Sequence, residues 1–130
     1  MASATNIPEP VADFIRQHIH SVLQLELLLW LREQAGRWTP QQIAAELRIT
    51  DQSAQFRLRD LALRGLVAED TATSTFSYAP TTLELAKSVD ALAACYATTR
   101  YSVINLIFSV PGDSARSLAD AFRLRKKKSD

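Results

Sequence analysis

Apolar positions recur every three or four residues through most of this chain, and near its middle they switch to alternation. In "VADFIRQHIH", preceded by Pro8 and Pro10, Val11, Phe14, Ile15 and Ile19 fall on one stripe and predict a short helix. Ser21 and Gln24 have the spacing of a capping box and open "VLQLELLLWLREQ". Leu25, Leu28, Leu29 and Leu31, with Val22 and Trp30 widening the stripe, predict a central helix covered on more than one side, ended by "AGRW".

Thr39 is placed to cap a short helix, "PQQIAAELR", with Pro40 at its first position, Gln42 at its third, and Ile43, Ala44 and Leu47 facing inward. Ile49 sits in the turn that follows. Thr50 then caps "DQSAQFRLRDLALR", whose inward stripe is Ala54, Leu58 and Leu61, and Gly65 is placed to end it in a left-handed conformation. "LVAED" and "TFSYA" alternate as two short antiparallel strands joined by "TATS". Thr81 and Glu84 form a further capping box, opening one long helix to Phe108 with Leu85, Val89, Leu92 and Tyr96 on one face. "SVPGDS" breaks it before a last amphipathic segment, "ARSLADAFRLRKKK". The fold class is mostly α with a small β-hairpin (α+β). It divides into an N-terminal arm and short helix (1–20), a helical and hairpin core (21–80), a long C-terminal helix (81–109) and a terminal basic segment (110–130).

Composition narrows the function classes. A chain of 130 residues, 47% apolar and 22% charged, suits one folded domain with appended helices, and three glycines favour helix over tight turns. The single Cys95 excludes an internal disulfide and reads as a small buried hydrophobe. His18 and His20, two residues apart, point to different faces of a helix and make a poor chelate, so neither metal nor cofactor is expected. No nucleophile–histidine pairing, glycine-rich phosphate loop or carboxylate cluster points to an enzyme. No secretory signal is visible, and the apolar runs "LQLELLLWL" and "SVINLIFSV" fall short of the ~18–20 residues a membrane span needs. A cytoplasmic protein is the expectation.

The order helix–turn–helix–hairpin, carried by Ile43, Ala44, Leu47, Ile49, Ala54, Leu58 and Leu61 and followed without a gap by Gly65-Leu66-Val67, resembles the winged helix–turn–helix of MarR-like bacterial transcriptional regulators. The resemblance covers about 40 residues, 39–80, and implies that the core over 21–80 is a winged helix–turn–helix domain. It implies a positioning helix opening at Ile43-Ala44, a turn plugged by Ile49, a recognition helix over 50–64 and a wing after Gly65. It also implies a homodimer, duplex DNA as partner, and a role in transcription regulation. Relatives of this kind commonly carry Arg or Lys in the wing, whereas "AEDTATSTFSYA" has none and two acids.

On the helix over 50–64, a turn of ~100° per residue places Gln52, Phe56, Arg59 and Leu63 opposite the inward stripe. Gln52 suits an adenine edge and Arg59 a guanine or a phosphate. Ser53, Gln55 and Arg57 flank that face, and Thr50 lies at a helix N-terminus that favours anions. The candidate DNA-binding residues are therefore Thr50, Gln52, Ser53, Gln55, Phe56, Arg57 and Arg59. Phe56 and Leu63 equally suit a protein-binding face, and the arginines equally suit solvated charges paired with Asp60. A winged helix used as a protein-interaction module, docking through Phe56 and Leu63, is the alternative.

Charge weighs on the choice. Residues 39–80 carry four Arg against five acids, a net charge of −1, while the positive surplus sits in "RLRKKK", Arg123 to Lys128. DNA binders neutralise roughly 6–10 phosphates, so only a dimer, assisted by that tail, supplies enough cations. The tail reads first as a solvated helix end, then as a phosphate-tracking arm, and last as a contact for an acidic partner or membrane surface. The helix over 82–108, with its apolar "VINLIF" end, is the expected dimer contact, folding back on its own chain being the alternative. Tyr96, Tyr101 and Trp30 are either core or, as the resemblance implies, the lining of an effector pocket.

Overall fold

A computed structural model describes residues 7–109; the expected turn beyond Ser109 and the terminal basic segment with its "RLRKKK" run lie outside the described residues, as does the start of the N-terminal arm. Among the described residues the chain forms α1 (Glu9–His18), α2 (Val22–Gln34), α3 (Pro40–Leu47), α4 (Asp51–Leu63), β1 (Val67–Asp70), β2 (Thr75–Tyr78), α5 (Leu83–Thr98) and α6 (Arg100–Ser109). The class is α+β, mostly helical with one two-stranded antiparallel sheet. The residues group into two compact units, one spanning Leu23–Ala93 and the other holding, among the described residues, 7–22 and 94–109.

In the larger unit, α3 and α4 are set by local side-chain chemistry. Thr39 accepts from the Gln42 N–H at 3.1 Å while the Gln42 side chain accepts from the Thr39 N–H at 2.9 Å, a complete capping box with Pro40 in the first turn. The turn into α4 passes through Arg48 in the left-handed region, φ 59° and ψ 49°. Ile49 donates its N–H to Ala44 at 3.0 Å, and Thr50 caps α4 by accepting from the Ser53 N–H at 3.0 Å. Gly65, at φ +79°, closes α4. Its N–H bonds to Ala62 and the Leu66 N–H reaches back to Leu61, both at 3.0 Å, so the last carbonyls are satisfied.

β1 and β2 pair in the register Val67↔Tyr78 to Asp70↔Thr75. Trp38, just before α3, exchanges both backbone hydrogen bonds with Phe76 at 2.9 and 2.8 Å, adding a third extended segment to the hairpin. The alternation pattern carries no sign of this, because a single bridging residue has no period. α3 packs against α4 and α4 against β1, and Ile43, Ala44, Ala54, Leu58, Leu61, Leu66, Val67 and Phe76 are all buried.

Several expectations are corrected. α1 begins at Glu9, so Pro10 lies inside its first turn rather than before it. On α2, Leu27 is buried and Leu29 is half-buried, the reverse of the expected stripe. Gln24, read as a capping residue, is also buried, and its amide donates to Asp60 of α4. Leu47 is half-buried. The cap of α5 is Thr82, whose hydroxyl accepts from the Leu85 N–H at 3.0 Å. Thr81 lies one residue too early for that place, and its own N–H is bonded to the Gly65 carbonyl at 2.9 Å.

The single long helix over 82–108 is two helices. The boundary is the single residue Thr99: its N–H still reaches the Cys95 carbonyl at 2.6 Å and its carbonyl accepts the Val103 N–H at 3.1 Å, while the Thr98 and Thr99 hydroxyls add bonds to the carbonyls of Ala94 and Cys95 at 3.0 and 2.9 Å. In the smaller unit α1 packs against α6. Val11, Phe14 and Ile15 of α1 and Val103, Leu106 and Ile107 of α6 are buried, so much of the apolar "VINLIF" end is already covered within the chain, while Tyr101 and Phe108 remain exposed.

Candidate functional site

α4 presents its two faces as the helical period requires. Ala54, Leu58 and Leu61 are fully buried, and Gln52, Phe56, Arg59 and Leu63 stand outward, Phe56 at 71% and Leu63 at 87% exposure. Ser53, Gln55 and Arg57 are half-buried on its flanks. From Gln52 to Leu63 this ridge runs about 16 Å at ~1.5 Å per residue. Thr50 is exposed at the N-terminus, its oxygen occupied by the Ser53 N–H, and Asp51 places a carboxylate in the first turn. That carboxylate opposes an incoming anion and tempers the attraction expected of the helix end.

The cations divide by their partners. Arg64 is engaged with Asp60 at 2.9 Å and is mostly buried, with a side chain 19% exposed. Asp60 also receives the Gln24 amide, so the group ties α4 to α2 and Arg64 serves the fold rather than the ridge. Arg59 faces Glu69 of β1, Nε to Oε2 3.9 Å, from a side chain 59% exposed. Arg48 stands exposed at the turn before α4.

Both acids of the hairpin face cations. Besides the Glu69–Arg59 pair, Asp70 bonds Arg37 at 3.2 Å and accepts the Ala72 N–H at 3.0 Å, which shapes the tip of the hairpin. Arg37 and Arg48 were not among the sequence-derived candidates. Arg37 becomes visible only through its non-local pairing with Asp70, and Arg48 only through its exposed position in the left-handed turn before α4.

Away from the ridge, Arg32 of α2 donates from Nε and Nη2 to Asp90 of α5 at 3.1 and 3.0 Å. Burial pushes the neighbouring Tyr78 phenol above its ordinary value, the Asp90 carboxylate pushes it further, and Arg32 opposes both. Trp30 meets Trp38 edge to face at 5.0 Å between centroids. The Arg100 guanidinium lies 4.9 Å above the Tyr96 ring, and Tyr101 is exposed. Cys95 is half-buried rather than fully enclosed.

Among the described residues no cluster of three His, Cys, Asp or Glu has the arrangement to hold a metal ion, and no helix is long and apolar enough to cross a membrane. No family model, curated protein or solved structure matches the chain. The geometry of α4 and its neighbours therefore carries the functional argument.

Proposed function

We propose that this chain is a MarR-like winged helix–turn–helix regulator that binds duplex DNA as a homodimer, with α4 as the recognition helix and β1–β2 as the wing. The observation that carries the reading is the accessible ridge of Gln52, Phe56, Arg59 and Leu63 on a helix capped at both ends and seated on a buried stripe. Its length of about 16 Å matches what a helix lays along a major groove. Gln52 and Arg59 would meet base edges. Thr50, Ser53, Gln55 and Arg57 would lie toward the backbone, and Phe56 toward a thymine methyl.

Electrostatics argue for two copies acting together. Residues 39–80 have a net charge of −1 and Arg64 is committed to Asp60, so one copy offers few cations to the roughly 6–10 phosphates of a useful site. A dimer doubles Arg48, Arg57 and Arg59 and brings two "RLRKKK" runs.

The exposure of Phe56 and Leu63, one on each side of Arg59, favours a second reading, a protein-interaction module. Retention of genomic DNA fragments at about 50 and 200 mM salt, beside a mass measurement of the oligomer, separates the two. The DNA reading predicts a dimer that retains duplex at low salt, releases it at high salt and fails to bind after Arg59→Glu. A protein that ignores duplex at low salt, and whose co-purifying protein is released by Phe56→Asp, is the module instead.

A further inference from the structure

We propose that Glu69 is a positioning residue that aims the Arg59 guanidinium at a guanine, an inference that rests on the duplex-binding reading above. A guanidinium offers donors along its Nε side and, separately, at its terminal nitrogen pair. The nitrogen facing Glu69 is Nε, 3.9 Å from Oε2, an ion pair without a direct hydrogen bond. The terminal pair is left for a planar double acceptor, and in the major groove that acceptor is the O6/N7 edge of guanine.

The hairpin fixes the backbone from which the Glu69 carboxylate reaches Arg59. Glu69 lies opposite Phe76 in the strand register, and the Phe76 backbone is bonded on its other side to Trp38. Exposure divides the pair in the useful sense: Glu69 lies on an exposed strand position, but its side chain is 27% exposed against 59% for Arg59, so the guanidinium is the more accessible of the two. A carboxylate there repels the full charge of a phosphate approaching Arg59 more strongly than the partial charges of a base edge. Glu69 therefore lowers the affinity of Arg59 for backbone at every sequence while preserving its contact to one base. The acidic hairpin, which looks adverse to DNA binding, becomes a source of discrimination.

The test is selection from random-sequence duplexes followed by salt-dependent titration, for wild type, Glu69→Gln, Arg59→Ala and the double variant, with melting temperatures alongside. Wild type is expected to prefer guanine at one position per half-site by about tenfold. Glu69→Gln flattens that preference, binds all duplexes more tightly at low salt, and steepens the salt slope by about 0.9 for one added phosphate contact. Its melting temperature stays unchanged, and in the Arg59→Ala background the same substitution has no effect on binding.

A protein that binds duplex and keeps the same guanine preference in Glu69→Gln overturns the inference and leaves the duplex-binding reading standing. So does one in which Glu69→Gln raises affinity equally without Arg59, because the carboxylate then acts only as bulk charge. A wild-type protein that binds no duplex overturns both.

Discussion

Gly65 lies directly beneath Thr81: a Cβ on Gly65 would stand 2.7 Å from the Thr81 Oγ1, and the Gly65 carbonyl accepts the Thr81 N–H at 2.9 Å. The end of α4 and the approach to α5 are thus fixed to each other through a residue that must hold φ +79° with no side chain. Gly65→Ala meets both the left-handed penalty and the hydroxyl, and should lower stability by about 1–3 kcal/mol, read as an earlier urea midpoint at unchanged slope. A midpoint equal to wild type would show that the close approach relaxes without cost.

Asp60 is the junction between α4 and α2. It accepts from the buried Gln24 and from Arg64, so Asp60→Ala strips a partner from a buried amide and from a mostly buried guanidinium. The expected loss is about 1–3 kcal/mol, against less than about 1 kcal/mol for Arg64→Ala, which leaves the Gln24–Asp60 bond intact. Equal losses in the two variants, measured by denaturant unfolding, would mean that the Gln24 bond contributes nothing.

Features decided by neighbours in sequence were legible before any coordinates. Thr39 with Gln42, Thr50 with Ser53, and Gly65 after the last turn of α4 obey rules that act over three or four residues, and all three act at the places expected. The hairpin was equally local, since alternation over "LVAED" and "TFSYA" sets its strands and "TATS" its turn. The outward direction of Gln52, Phe56, Arg59 and Leu63 then follows from helical periodicity alone.

What escaped depended on contacts distant in sequence or on side chains that compete with the backbone. Gln24 meets Asp60 across 36 residues, and Trp38 bridges Phe76 across 38 positions of chain. Neither leaves a periodic trace. The apolar rhythm continues through Thr98 and Thr99, which hides the one-residue break between α5 and α6. Thr81 and Thr82 are equally good caps by composition, and the place goes to Thr82, while Thr81 is tied by its N–H to Gly65.

Tyr78 gives the fold an alkaline limit. Its folded phenol holds the proton more tightly than the unfolded one, whose ordinary value is 10.0, first because it is buried and second because Asp90 is near. Its contribution is therefore complete below pH 10.0 and is lost as pH rises through the folded value. Unfolding midpoints for wild type should fall more steeply above pH 10.0 than those of Tyr78→Phe, with parallel curves below it. Parallel curves throughout would mean that the phenol feels neither burial nor Asp90.

The central claim is that the exposed ridge of α4 meets duplex DNA, and the most direct measurement is where the protein's backbone amide resonances move when a retained duplex is titrated in. The account predicts the largest shifts at Gln52, Phe56, Arg59 and their flanking residues Ser53, Gln55 and Arg57, diminishing as salt is raised. Shifts confined to other elements, or none along α4 while duplex is bound, would contradict it.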